Sequence, residues 1–376
     1  MAMLASKFNL STKSSSELTR YRDLTVVLRH AQFVSDRPLQ GRLLSLGKES
    51  HSLHSMLRRQ LLFLDGEEHQ RLQTVLLKPL AILGKSLRGA IQEMVDELLT
   101  QAQDRGSMDV VADFAAVLPL RVIVHALGVP VESEAQLQRW TQALGHVTSG
   151  YLAGSEIQHV REMLVSFRQV IGERGYREDG LLGSCFQAFE QGLFQSEDDL
   201  VINAMMLLSA GSISTAKLIA HGLYLLLGQE VSQIGHVREE LAATPALIKS
   251  LVEELLRLVT PTRFIARWAK QDIEIGDTSI AVGQKVILKL EAANHDPEIF
   301  PHPQALDLHR GHNPHLAFGG GAHLCPGAAL ARSEAQMAFT ALFSRFPALR
   351  LAPGFVPELH PNVNLGGITT LPVLVR

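Results

Sequence analysis

From residue 65 to residue 260 the apolar positions recur every three or four residues, the period of a helix buried along one side. The pattern predicts helices over Glu67–Leu83, Lys85–Asp104, Val110–Leu127 and Glu134–Leu152. More helix is expected over 155–195, with a glycine break near Gly180–Gly183. Ser196–Leu227 is different, because it is apolar nearly all round. Such a helix lies either inside a fold or in lipid. Its most apolar run, Leu200–Leu208, is too short to cross a bilayer. Asn203, Ser209, Gly211, Ser212, Ser214, Thr215, Lys217 and His221 also interrupt the segment, so a buried central helix is expected. Pro245–Val259 reads as a further helix. Thr244 is placed to cap it, Pro245 suits its first position and Pro261 stops it.

The period then changes. Residues 272–290 alternate and turn at Gly276–Asp277 and Gly283–Gln284, which predicts short strands. Residues 294–322 are rich in Pro, His and Gly and read as loop. Pro326–Phe346 returns to helix, and the tail from Gly366 is strand-like. Near the start, residues 25–32 begin a short helix or strand–helix unit. The class is mainly α with a small β region. No repeat, low-complexity tract or linker divides the chain, so one domain over residues 1–376 is expected.

Composition narrows this picture. Hydrophobic residues make up 46% and charged residues 19%, enough for a large core. A net charge of −3 gives no pointer to nucleic acid. The beginning of the chain lacks the apolar stretch of a signal peptide, and no membrane span is expected. With only Cys185 and Cys325, a disulfide framework is not expected, and a cytoplasmic setting fits.

The strongest chemical signal is Phe318-Gly-Gly-Gly-Ala-His-Leu-Cys-Pro-Gly327. Three glycines let the backbone turn tightly and approach a flat ligand closely. Cys325 precedes Pro326, which suits a first helical position. The sulfur is therefore expected to face the positive end of a helix, which lowers a thiol pKa. Such a thiolate suits a soft or borderline metal. Cys185, in a helical context, reads as a structural thiol. On residues alone Cys325 could be the same, or could join His309, His312, His315 and His323 around zinc.

Phe318, Gly321, His323, Cys325 and Gly327 fill, in order, a long pattern of the cytochrome P-450 superfamily, and the chain resembles its soluble bacterial members. The resemblance runs from about Arg20 to Arg376 and adds three matches: Glu254-Leu-Leu-Arg257, Phe264-Ile-Ala-Arg267 and Asn294-His-Asp-Pro-Glu. It implies the cytochrome P-450 fold, with the long central helix over haem b (iron protoporphyrin IX). It implies Cys325 as iron ligand, with Phe318, Gly319, Gly327 and Gly211 beside the haem. It places His69, Arg267 and His323 on the propionates. Glu254 and Arg257 would lock onto the loop before the cysteine, with Arg310 as third member.

The chain departs from the pattern in the central helix, which reads Ala210-Gly-Ser-Ile-Ser-Thr215. Ile213 stands where relatives carry an acid, leaving Ser214 and Thr215 as the alcohols that could handle protons. Ala210, Ile213, Arg263 and Phe264 fall at substrate-contact positions. Pocket residues are expected from Gly41–Leu62, Thr141–Phe167, Leu207–Ser214, Thr260–Phe264 and Asn364–Thr369. Arg263 either anchors an acidic substrate, whose carboxylate then relays protons, or is an ordinary salt-bridged or solvent-facing arginine. Gln73 replaces an arginine common at that place, which weakens the expectation of a standard ferredoxin donor; Arg71 lies two positions away. The usual first helix looks shortened.

The implied function is a monooxygenase that oxidises a small lipophilic or secondary-metabolite substrate with dioxygen and two electrons, drawn from a ferredoxin or flavodoxin. The absent acid keeps open a peroxygenase, isomerase or dehydratase that needs no reductase. A non-catalytic haem sensor is a further alternative.

Overall fold

The computed structural model describes residues 15–35, 53, 55–130, 133–148, 154–228, 231–360, 364 and 366–376. Most of the expected segment 41–62 therefore lies outside the described residues, as do the first fourteen residues and position 365.

The central helix, Glu197–Leu227, is buried along most of its length, as its all-round apolar sequence requires. Ser196 caps it, its hydroxyl accepting from the Asp199 N–H at 3.2 Å. It is long and apolar enough to cross a membrane, yet protein covers most of it. Helices Leu118–Leu127, Glu134–Thr148, Gly154–Gly172, Ile248–Val259 and Ala328–Arg345 pack around it.

Several predicted boundaries moved. Glu67–Leu83 and Lys85–Asp104 are one helix, Gly66–Arg105, with Pro79 inside it. Leu72, Leu76, Leu80, Leu87, Ile91, Val95 and Leu98 form one buried stripe through it. Burying that stripe outweighs the hydrogen bond that Pro79 cannot make. Val110–Leu127 splits into a wide turn, Val111–Ala115, and the helix Leu118–Leu127. Asp109 reshapes this start: its Oδ1 accepts from Val111 at 2.9 Å and from Leu371 at 2.9 Å. Thr244 makes no side-chain cap; Pro245–Leu247 is a 3₁₀ turn and the helix proper is Ile248–Val259. Pro326 is not the first helical residue, because the helix begins at Ala328. The helix Val231–Ala243 and the strand Ile265–Ala269 had no predicted counterpart.

The β part comprises three small sheets. The largest has the order β1 (Ser16–Leu18), β7 (Lys285–Leu288), β4 (Ile265–Ala269), β2 (Phe33–Val34). Its β4–β7 pairing sets Arg267 opposite Val286. The short helix Tyr21–Arg29 covers this sheet with Leu24, Val27 and Leu28. β5 (Ile273–Ile275) and β6 (Thr278–Ile280) form the expected hairpin. β9 (Pro372–Leu374) joins β3 (Ser107–Asp109) to β8 (Arg350–Leu351).

Candidate functional site

The loop that carries Cys325 is held from behind by a buried ionic knot. Glu254 and Arg257 sit three apart on one helix and are wholly buried. Arg257 donates to both Glu254 oxygens at 2.9 Å. Its other donors reach the backbone oxygens of Asn294 at 3.2 Å, Pro303 at 2.5 Å and Ala305 at 2.8 Å. Glu254 also accepts from Arg310 Nε at 2.8 Å, Asn313 Nδ2 at 3.0 Å and the Asp307 N–H at 3.0 Å. Burial opposes ionisation of Glu254, but these donors hold its carboxyl below the usual range. Asn294 extends the knot: its Oδ1 accepts from the Leu316 N–H at 2.7 Å. The loop thus enters the cysteine segment from a fixed point.

From there the backbone closes on itself. The Cys325 N–H donates to Phe318 O at 3.0 Å, and Gly319 N–H to Leu316 O at 2.9 Å. Gly321 has φ +66, and a Cβ there would stand 1.9 Å from the Leu28 carbonyl oxygen. No other residue fits that place. The Arg332 guanidinium lies over the Phe318 ring at 4.5 Å. Burial raises the Cys325 thiol pKa, and the N–H groups of Gly327 and Ala328 with the Arg332 charge only partly offset this. The expected lowered thiol pKa is therefore corrected for the protein alone: two helix-end N–H groups do point at the sulfur, but burial outweighs them. A bound cation reverses that balance. Cys185 is buried in the helix Leu181–Glu190, and burial pushes its thiol up to about 12, as befits a structural residue.

His69, His323 and Arg267 come together from three distant parts of the chain. The two imidazole rings are 4.2 Å apart. His323 Nε2 lies 3.1 Å from Asp65 Oδ1 and 3.1 Å from Ser35 Oγ. Arg267 Nη1 donates to its neighbour's carbonyl, Ala266 O, at 2.9 Å. Burial pushes Arg267 down to about 10, with Asp65 opposing. Burial, then His323 and Arg267, push His69 down to about 4. Positive and hydrogen-bonding groups are crowded here with one carboxylate among them. Such a cluster can take anionic groups. Neither Asp65 nor Ser35 was foreseen in this role: Asp65 opens the matched segment Asp65-Gly-Glu-Glu-His69, but only its histidine was assigned a part, and Ser35 lies in no motif.

Above, one stripe of the central helix is open while its flanks are packed. Ala210 is exposed, and Ile213 and Ser214 are partly so, between buried residues on either side. Ser214 Oγ donates back to Ala210 O at 3.3 Å, and Ser212 Oγ to Leu208 O at 2.9 Å. Thr215 is buried and turned from this stripe. At Gly211 a Cβ would meet Ile123 at 2.8 Å, so its small size serves helix packing. At the same helical spacing the face runs on to Lys217, which is buried, and His221, which is partly exposed; in the sequence both read only as interruptions of an apolar helix. Phe264 lies under the Lys289 ammonium at 5.2 Å, and Arg263 Nε lies 3.7 Å from Glu291.

Gln73 reaches the cysteine loop in its own way, donating to Ala322 O at 2.8 Å. Arg71 turns instead toward Glu68, at 3.8 Å. The histidines that could have suited zinc are committed elsewhere: His309 to Glu240 at 2.7 Å and His315 to Glu253 at 3.1 Å. Among the described residues no three His, Cys, Asp or Glu side chains converge as metal ligands.

Comparison with known proteins gives the same answer as the geometry. The family model described as Cytochrome P-450 matches residues 181–355. The cytochrome P-450 CYP107DY1 of Priestia megaterium is 32% identical over 366 residues, 94% of this chain and 88% of that protein. The mycinamicin IV hydroxylase/epoxidase of Micromonospora griseorubida is 35% identical over 368 residues, 95% of this chain and 88% of that protein. Among solved structures, cytochrome P-450 BioI in complex with an acyl carrier protein ligated to hexadec-9Z-enoic acid superposes with a TM-score of 0.85. It is 31% identical, over 95% of this chain and 91% of that one. The chain therefore belongs to the cytochrome P-450 family and is an oxidoreductase of the monooxygenase type.

Proposed function

We propose that this chain binds haem b, whose iron the Cys325 thiolate would hold, and oxidises a small lipophilic molecule with dioxygen and two electrons. The observation that carries the reading is the meeting of His69, His323 and Arg267 beside the Cys325 loop. These groups suit two propionates, and the Gly321 turn wedges the loop against the Leu28 carbonyl, which fixes the place of Cys325. The residues present fit haem. When bound, it would supply dioxygen activation, which thiolate donation favours.

The chain's own contribution is position and protons. Phe318, Gly319 and Gly327 frame the sulfur. Ala210 and Ile213 present an apolar surface to a substrate, which orients it and excludes water. The Ser214 hydroxyl makes a long bond to its own helix and can turn to hold a proton toward the open stripe. Ile213 cannot do so. The electron donor we infer is a ferredoxin or flavodoxin, with Gln73 beside the loop that such a donor would approach. Two similar proteins, the mycinamicin IV hydroxylase/epoxidase and the P-450 in complex with a fatty-acyl-ligated carrier protein, support a lipophilic substrate.

Ile213 also favours one second reading, turnover driven by peroxide without a reductase. Incubation with dodecanoate under isotope-labelled dioxygen, with a ferredoxin and its reductase, tests the pair. Labelled product that needs the donor is the expected result. Product formed equally well with hydrogen peroxide and no donor would favour the second reading.

A further inference from the structure

The stripe of the central helix that carries Ala210, Ile213 and Ser214 ends in two basic residues, Lys217 and His221. A lysine inside a helix this apolar has to find partners for three N–H donors. Lys217 Nζ donates to Pro261 O at 2.7 Å and to Asn364 O at 2.9 Å. One donor remains. His221 Nε2 accepts from the Ile368 N–H at 2.8 Å, so a neutral ring keeps its other nitrogen as a donor. Arg263 stands on the loop that Lys217 holds, and its Nε is buried with no hydrogen-bond partner. The nearest carboxylate, Glu291, is 3.7 Å away and nearly half exposed. Its distance is too long for a hydrogen bond.

The charges do not balance. Burial, then the Arg263 charge, push Lys217 down to about 7, against the pull of Glu291. Burial, then Lys217 and Arg263, push His221 down to about 4. The groups from every element that meets here are Lys217 and His221 on the central helix, Arg263 on the 260–264 loop and Glu291 on the helix Leu290–Ala293. Together they carry an excess of positive charge and spare donors, next to the face that fronts the substrate. A partly buried anion would satisfy them, whereas a neutral molecule would not.

We propose that Lys217 and Arg263 form a carboxylate subsite at the end of the substrate space, which selects lipophilic acids over their neutral analogues. This rests on the reading of the open stripe as the substrate face of a haem enzyme. The carboxylate would accept from the remaining Lys217 donor and from the planar Arg263 fork, in place of the distant Glu291. The chain's apolar part would lie along Ile213 and Ala210. Lys217 is charged below about pH 7 and loses its proton above, so the preference for the acid should weaken as pH rises through that value.

The test is calorimetric titration of the haem-loaded protein with dodecanoate and with dodecan-1-ol, at about pH 6 and about pH 9, on either side of the Lys217 value. At the lower pH the acid should bind about tenfold more tightly or better, the scale of one charge-assisted hydrogen bond. That preference should shrink at the higher pH. It should vanish in Lys217→Met and in Arg263→Leu. Lys217 also ties two loops to the helix; if its variant fails to fold, Arg263→Leu decides alone, since the Arg263 side chain makes no comparable tie. No preference for the acid in the unsubstituted protein, whether both ligands bind or neither does, would overturn the subsite. So would a preference that Arg263→Leu retains. The reduced, carbon-monoxide-bound spectrum separates the two levels of failure: a normal thiolate spectrum with no acid preference removes only the subsite, while an absent one removes the haem reading beneath it.

Discussion

Single residues carry the account furthest where they are both buried and charged. Glu254 and Arg257 are spaced like any surface pair, yet both are fully buried, and eight hydrogen bonds use up the donors of Arg257 and engage both Glu254 oxygens. Such a pair stabilises little against an apolar replacement, but removing one partner strands the other. Arg257→Ala should therefore cost about 3–5 kcal/mol. Chemical denaturation should show it as a large loss of stability or as no folded protein; a change no larger than that of an exposed arginine would contradict the knot. These residues were legible because their spacing sits in a specific motif. Lys217 was not legible, because in sequence a lysine within an apolar helix reads only as an interruption. Its partners, Pro261 and Asn364, are fixed by the fold alone.

Among the elements, long periodic helices were read well and their ends poorly. The central helix was placed to within a residue at its start and matched at its end. The helix Gly66–Arg105 was cut in two at Gly84, whereas one buried stripe runs through it from Leu72 to Leu98. The helix Val231–Ala243 was missed because few of its residues are buried to mark a face. In the cysteine loop, local chemistry decides more than period. A side chain at Gly321 would collide with the Leu28 carbonyl and also needs a left-handed backbone, while Gly319 has only the backbone demand. Gly321→Ala should lower haem retention on a desalting column far more than Gly319→Ala. Equal retention would mean that the loop is not wedged against Leu28.

Across the whole molecule, the site is assembled from pieces that sequence reading could name but not join. His69 belongs to the long helix Gly66–Arg105, Arg267 to the strand Ile265–Ala269 and His323 to the cysteine loop. Only folding brings the two rings to 4.2 Å and sets Arg267 close enough to lower the His69 pKa. The motifs named these three in advance. They did not name Ser35 or Asp65 as partners of His323, whose Nε2 lies 3.1 Å from each. The fold class followed from the change of period near residue 272, where long helices give way to short strands and loop before one last helix and a strand-like tail.

The central claim is that Cys325 ligates the iron of a haem held by this cluster. The most direct measurement is the optical spectrum of the dithionite-reduced protein with and without carbon monoxide, for the unsubstituted chain and for Cys325→Ala. The account predicts the far-red-shifted Soret band of a thiolate-ligated ferrous haem in the first and its loss in the second. A colourless protein, or the same band in both, would contradict it.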